Sequence, residues 1–156
     1  MQSKPICSIR PLVASDEAAW RVLWHGYLTY YETTLPEEVY RTTFSRLISG
    51  EPNEYCGLLA LVAGRPVGLA HYLFHRTCWA TNDTCYLQDL YADPSVRGQG
   101  IGRALIEAVY AAADAARPDP AAPSRVYWLT QEFNATARRL YDRIGIKTPF
   151  IKYGRP

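Results

Sequence analysis

Arg97-Gly98-Gln99-Gly100-Ile101-Gly102 is the segment of this sequence with the clearest chemical purpose. Its three alternating glycines leave backbone N–H groups unshielded and open turn geometries closed to other residues. The run lies between a strand-like segment and a helical pattern. N–H groups converging at a helix N-terminus make an anion site, and a pyrophosphate is its natural guest. Two other phosphate loops fit poorly. A dinucleotide fingerprint needs G-x-G-x-x-G, and counted from Gly98 its third glycine position holds Arg103. A P-loop needs Lys and then Ser or Thr after its last glycine, where Arg103-Ala104 stand. By itself, the run also reads as a glycine-rich turn that holds nothing.

Other residue types able to do chemistry form weaker patterns. His71 and His75 are four apart and share one face of a strand. No further ligand accompanies them, so they are expected to be ordinary strand histidines, and no metal site is expected. Cys7, Cys56, Cys78 and Cys85 form no Cys-x-x-Cys pair and have no histidine at zinc-finger spacing. The expectation is four reduced, mostly buried thiols in a cytoplasmic protein. Cys78 and Cys85 can face each other across a hairpin, without a bond being expected there.

The elements that must position these residues follow from periodicity. Ile6–Val13 reads as a short strand. Ser15 is placed to cap a helix with Asp16 and Glu17 in its first turn. Trp20, Leu23, Trp24, Tyr27, Leu28 and Tyr31 then recur at helical spacing. Thr34-Leu-Pro-Glu37 is a capping-box pattern ahead of a second helix buried through Tyr40, Phe44, Leu47 and Ile48. Tyr55–Ala63 and Val67–Phe74 read as strands joined in a hairpin at Gly64-Arg65. Trp79–Thr84 is turn-like, and Cys85–Ala92 is the next strand.

After the glycine run, Ile101, Leu105, Ile106, Val109 and Ala113 mark one helix face. Arg117–Ser124, with three prolines, is a solvent-exposed connection. Val126–Thr130 reads as a short strand of buried type. Asn134 opens a last helix with Ala137, Leu140, Tyr141 and Ile144 inward, and Pro149–Tyr153 reads as a closing strand. The path from Cys85–Ala92 through a helix to Val126–Thr130 is a parallel crossover. The fold class is therefore α/β, with a mixed, mostly antiparallel sheet flanked by helices in one domain spanning residues 1–156.

Two stretches carry a family resemblance. The run from Tyr86 to Leu105 contains Arg97, Gly100 and Gly102, and resembles the acetyl-CoA motif of GNAT N-acetyltransferases: Arg or Gln, two residues, Gly, one residue, Gly or Ala. Asn134-Ala-Thr-Ala137-Arg-Arg-Leu140-Tyr141 is similar to that family's Asn-x-x-Ala-x-x-Leu-Tyr helix. Leu23-Trp24, the aromatics to Tyr31, Leu35-Pro36, Val126-Tyr127-Trp128 and Phe150–Tyr153 resemble the Hpa branch, which holds histone, polyamine and D-amino-acid acetyltransferases.

The resemblance implies a sheet with two splayed parallel strands, Cys85–Ala92 and Val126–Thr130, and acetyl-CoA lying in the gap. Leu90, Tyr91 and Ala92 would meet the pantetheine arm. Arg97, Gly98, Gln99, Gly100, Ile101, Gly102 and Arg103 would take the pyrophosphate, and Asn134 and Tyr141 would also touch the cofactor. Tyr141 would give a proton to the departing thiolate, since a phenol has a reference pKa near ~10. Relatives often carry Glu-Asp where Gln88-Asp89 stands; Gln88 cannot be a base. That role falls to Asp89, to a water chain, or to no single group, and Asp89 can instead be structural.

By the same resemblance the first helical pair lines the acceptor site, where Trp24, Tyr27, Tyr30, Tyr31 and Glu32 lie, with Tyr91 and Trp79 able to join from the sheet. Aromatic faces beside a carboxylate suit an ammonium group, although an aromatic stripe at helical spacing is more often packing. Tyr30, Glu32 and Gln88 are the expected substrate contacts. The implied activity is direct acetyl transfer to a small primary amine, polyamine or amino acid, within a ternary complex. A protein or histone lysine, or a non-catalytic acyl-CoA-binding module, remain the alternatives. A homodimer through the C-terminal strands is expected.

Composition agrees with a globular chain. Its 156 residues are 48% hydrophobic and 21% charged. A net charge of +2 is too small to argue for nucleic acid or a membrane surface, and neither partner is expected. The start of the chain has no apolar signal core, and no run reaches a membrane span.

Overall fold

A computed structural model describes residues 7–156 of the protein; Ile6, the first residue of the predicted opening strand, lies outside them. A five-stranded sheet in the order β1-β2-β3-β4-β5 forms its centre. The strands are β1 (Cys7–Pro11), β2 (Cys56–Val62), β3 (Arg65–His75), β4 (Thr84–Ala92) and β5 (Arg125–Tyr127). The first four pair antiparallel, and β5 joins β4 in parallel. The helices are α1 (Glu17–Tyr30), α2 (Glu37–Ile48), α3 (Ile101–Ala115) and α4 (Ala135–Ile144). This is the mixed, mostly antiparallel α/β sheet expected from the sequence. Among the described residues, no helix is long and apolar enough to cross a membrane.

Alternation along the strands gives the sheet two apolar faces, each with its own core. Leu12, Leu59 and Leu69 pack with Trp20, Leu23, Trp24, Leu28, Phe44 and Leu47 of α1 and α2. On the other face Ala60, Val67, Ala70, Tyr72, Cys85 and Leu87 meet the apolar stripe of α3. That stripe is Ile101, Leu105, Ile106, Val109 and Ala113, as periodicity predicted. Helix α4 covers the open end of this second core with Leu140, Tyr141 and Ile144 only half-buried. Each large side chain removed from water contributes about 1.5–3 kcal/mol before entropy is counted.

Local starts and stops differ from the sequence reading in several places. Ser15 does not cap α1. Residues Ala14–Asp16 form a 3-10 turn, in which Asp16 accepts the Val13 N–H at 2.9 Å and pairs with Arg10 through both oxygens at 2.7 and 2.8 Å. The bidentate ion pair replaces the expected cap. Thr34 does not cap α2 either. Pro36, extended at ψ 157°, leads directly into Glu37, leaving Thr34 too far outside the helix. Ile48 stands at the exposed end of that helix, while Phe44 and Leu47 are buried.

The β2–β3 turn is centred one residue earlier than predicted. Val62 pairs with Arg65, so Ala63 and Gly64 make the turn, with φ of 50° and 75°. A tight hairpin needs left-handed backbone at both central positions to match strand twist, and Gly64 supplies the second at no steric cost.

Two strands near the C-terminus are overcalled by sequence pattern. β5 is three residues long and has exposed ends, not a buried run to Thr130. Pro149–Tyr153 forms no strand, and Phe150, Ile151 and Tyr153 are exposed. Apolar β-formers there have no neighbouring strand within this chain to pair with. The four cysteines are free as expected, but Cys85 alone is buried and Cys78 is exposed. Trp79 stands out from the loop between β3 and β4, 82% exposed.

Candidate active site

β4 and β5 touch only over Thr84–Tyr86 and Arg125–Tyr127. Beyond Tyr86, among the described residues, no strand lies against the β5 side of β4, so Leu90, Tyr91 and Ala92 border an open gap. The Ala92 carbonyl accepts from Arg97 Nε at 3.3 Å. Past β4, Asp93 caps a short 3-10 turn over Pro94–Val96 by accepting from Ser95 N at 2.8 Å and Ser95 Oγ at 2.5 Å. Those hydrogen bonds hold its carboxyl below the usual range.

The chain then turns through Gly98 and Gly100, at φ 77° and 88°, into α3. A Cβ at either glycine would stand in open space. Among the described residues no acceptor meets the N–H groups of Gly98, Gly100, Ile101, Gly102 or Arg103. These are the orphan donors of a helix start, and α3 is fifteen residues long with no side-chain cap. The cradle is thus open to a diphosphate and lined by donors, and an extended amide-bearing arm can lie along the free side of β4. These features fit acetyl-CoA.

The arginines flanking the cradle are already engaged. The Arg97 guanidinium lies 5.7 Å above the Tyr30 ring and 6.0 Å from that of Tyr91. Arg103 pairs with Glu107 one helical turn on, at 2.7 Å. Gln99 is exposed and its N–H closes back on the Val96 carbonyl at 3.3 Å. Across the gap Asn134 caps α4, its side chain accepting from Ala137 N at 3.4 Å and donating to Thr130 Oγ1 at 3.3 Å. About two turns into that helix Tyr141 packs edge-on against Trp128, with ring centroids 5.4 Å apart. Burial, with the neighbouring phenols of Tyr31 and Tyr30, pushes the Tyr141 hydroxyl up to about 12. It is a proton donor at neutral pH, and it faces the end of α1.

On the α1 side of the sheet a bulge decides which side chains face the helices. His71 pairs with Asp89 but Tyr72 pairs with Leu87, leaving Gln88 without a partner. A bulge of this kind sends neighbouring side chains to one face and is common beside active sites. Gln88 accepts from the Tyr55 hydroxyl. Asp89, 6% exposed, accepts from Tyr27 Oη at 2.8 Å and meets His71 Nδ1 at 2.9 Å. The far nitrogen of His71 takes the indole N–H of Trp20 at 2.9 Å. His71 is therefore not an ordinary strand histidine. Sequence spacing gives no sign of this chain, because Trp20 and Tyr27 come from α1 while His71 and Asp89 lie on neighbouring strands.

Tyr31, Tyr55 and Tyr86 border the same carboxylate, and burial first, with the negative Asp89 adding to it, raises all three phenols above their ordinary value. Tyr27 stacks on Trp24 at 4.8 Å and meets Tyr31 at a tilt, with centroids 4.9 Å apart. Of the expected substrate contacts, Tyr30 meets Arg97 beside the glycine loop, and Gln88 lies by Asp89. Glu32 does not join them. At φ 52° beyond α1 it lines a separate cleft of about 310 Å³ with His25, Thr29 and Tyr40. Among the described residues no group of acidic, histidine or cysteine side chains is arranged to hold a metal.

Comparison with known proteins gives concordant findings. Residues 20–146 match the Acetyltransferase (GNAT) family. The D-amino-acid N-acetyltransferase HPA3 of Saccharomyces cerevisiae is 38% identical over 149 residues, covering 94% of this chain and 89% of the yeast protein. Among solved structures, the aminoglycoside acetyltransferase AAC(6')-Iy in complex with a bisubstrate analogue superposes with a TM-score of 0.80 at 15% identity, over 97% of this chain and 98% of that one. The ribosomal-protein-alanine N-acetyltransferase of Brucella melitensis gives 0.76 at 20% identity, over 97% and 99%. At such identities these two structures speak to the fold.

Proposed function

This chain belongs to the GNAT acetyltransferase family and is an acetyl-CoA-dependent N-acetyltransferase, and from that premise we propose that it acetylates the primary amine of a small molecule, free D-amino acids foremost, by direct attack in a ternary complex. One catalytic domain spans residues 1–156. The observation that carries this reading is the Asp89 carboxylate, buried behind Tyr27 and the surrounding phenols. Among the described residues no lysine or arginine pairs with it. Such a site attracts an ammonium group both to the charge and to the aromatic faces. The yeast relative's printed substrate supports the amino-acid class.

Bound acetyl-CoA supplies an activated thioester and a thiolate leaving group. The N–H groups of Gly98, Gly100, Ile101, Gly102 and Arg103 would hold its diphosphate, Arg97 beside them would add charge, and Gln99 borders the turn. Leu90, Tyr91 and Ala92 align the arm, and Asn134 holds α4 in place so that Tyr141 faces the reacting end. Tyr30 and Gln88 border the incoming amine. Tyr27 accepts a proton from the ammonium at its oxygen while passing its own to Asp89 Oδ1, which leaves a neutral amine. On attack the nitrogen would lose its second proton to the Tyr141 oxygen, by way of water, as Tyr141 gave its own to sulfur, so that Tyr141 ends the cycle as a phenol. Charge and protons balance: one goes to Asp89 and then to solvent, and one ends on the thiol.

A free-thiol release assay with acetyl-CoA against D- and L-amino acids, polyamines and a histone-tail peptide tests the reading. Release is expected with small amines, strongest with D-amino acids. Release with the peptide alone would overturn the small-molecule assignment. We also propose a homodimer formed through the C-terminal segment, in a reducing cytoplasmic setting consistent with the free cysteines. The exposed apolar side chains Ile146, Phe150, Ile151 and Tyr153 support it. Sedimentation velocity of the full chain is expected to give a dimer, and a monomer at every concentration would refute it.

A further inference from the structure

The chain Trp20–His71–Asp89–Tyr27 has a fixed direction. An indole nitrogen donates and never accepts. His71 Nε2, 2.9 Å from Trp20 Nε1, must therefore be the acceptor, and its ring proton sits on Nδ1, facing Asp89 Oδ2 at 2.9 Å. Tyr27 gives its proton to Asp89 Oδ1 at 2.8 Å. Both carboxylate oxygens receive a hydrogen bond, the pattern of an ionised acid. A doubly protonated His71 would set two N–H groups against each other across the Trp20 contact. Trp20 is fully buried and His71 is 1% exposed, so no water relieves such a clash.

We propose that Trp20 and His71 are positioning residues for acetyl transfer: the Trp20 indole bars His71 from becoming cationic, so the Asp89 charge stays uncancelled and Tyr27 keeps an oxygen lone pair turned to the acceptor ammonium. The inference rests on the amine-acetylating reading above and assigns two residues to it that touch no substrate. The groups facing the pair are accounted for from every side. Helix α1 presents Trp24, Tyr27 and Tyr31, and α2 presents Phe44 and the phenol Tyr40, both against Trp20. Tyr86 comes from β4 and Tyr55 from the segment before β2. Glu54 and Arg46 act on Tyr55, with opposite signs. His75, further along β3, is bonded to the Tyr127 hydroxyl at 3.0 Å.

Trp20→Phe keeps a buried aromatic ring and removes the N–H, but also deletes the smaller ring of the indole, so lost packing adds a pH-independent part to any change in KM. Without the indole donor nothing at His71 Nε2 opposes a second ring proton, and an imidazolium there cancels the Asp89 charge. The expected result is a KM for the amine that rises about tenfold at acidic pH and returns towards the parent value at alkaline pH. The KM for acetyl-CoA stays unchanged, because the glycine cradle is untouched. A local imidazolium is worth about 1.4 kcal/mol if it produces that tenfold change. A merely structural loss would raise KM equally at every pH.

Nitrogen NMR of the His71 ring supplies a readout that needs neither turnover nor a variant. The parent is expected to show Nδ1 protonated and Nε2 bare through acidic pH. A proton on Nε2 in the parent, or a pH-independent KM in Trp20→Phe, would overturn the proposal. If the parent transfers acetyl to no amine, the functional reading fails separately, and the ring tautomer still decides whether Trp20 holds His71 neutral.

Discussion

Tyr141→Phe is expected to lower kcat by about 10²–10⁴-fold, the range for loss of a positioned general acid, with the KM for acetyl-CoA nearly unchanged. The substitution removes one oxygen and keeps the ring against Trp128, at 5.4 Å, so the half-buried face of α4 survives. The split between kcat and KM separates this from a packing effect, which would weaken acetyl-CoA binding as well. With its hydroxyl pushed up to about 12 by burial and by Tyr31 and Tyr30, Tyr141 remains protonated throughout the working range. The loss should therefore be the same from acidic to mildly alkaline pH, and any alkaline decline of the parent from this group should have its midpoint at about 12. Steady-state kinetics by thiol release read both. A variant as fast as the parent would leave Tyr141 a core aromatic.

The second large effect belongs to the glycine turn. Gly100→Val is expected to weaken acetyl-CoA binding by at least about tenfold, since a left-handed backbone costs an L-residue about 1–2 kcal/mol and a β-branched one more. Because a Cβ there meets nothing within 4 Å, the penalty comes from the φ of 88° rather than from a clash. The loop escapes it by turning away, and the N–H groups of Gly98, Ile101 and Gly102 then diverge. Calorimetric titration with acetyl-CoA measures the change, and kcat at saturation should stay close to the parent. Unchanged affinity would remove this turn from the diphosphate site.

Much of this arrangement was legible from residue pattern. The α3 face, the Asn134 cap and the glycine turn are short-range features, each written within one helix or one loop, and the parallel crossover follows from the order of strand, helix and strand along the chain. Their outcomes depend on periodicity and on φ, which neighbouring residues fix. The Trp20–His71–Asp89–Tyr27 chain was illegible because its members meet only when α1 lies across β3 and β4. The bulge at Gln88 adds a local shift that alternation does not announce. The hairpin was misplaced by one residue because Ala63 accepts left-handed backbone that a sequence reader reserves for glycine. The C-terminal segment has strand composition, but strands need partners, and its apolar residues have none within this chain.

The two cores on opposite faces of the sheet have a consequence for how such a protein changes over time. The α3 core positions the cofactor loop through Ile101 and Leu105, while the tyrosines and Asp89 sit in the α1–α2 layer. Substitutions in separate layers without shared partners combine nearly additively. Acceptor preference can therefore drift through α1 and α2 while the donor end stays constant, and a lineage can explore new amines without relearning how to hold its acetyl donor.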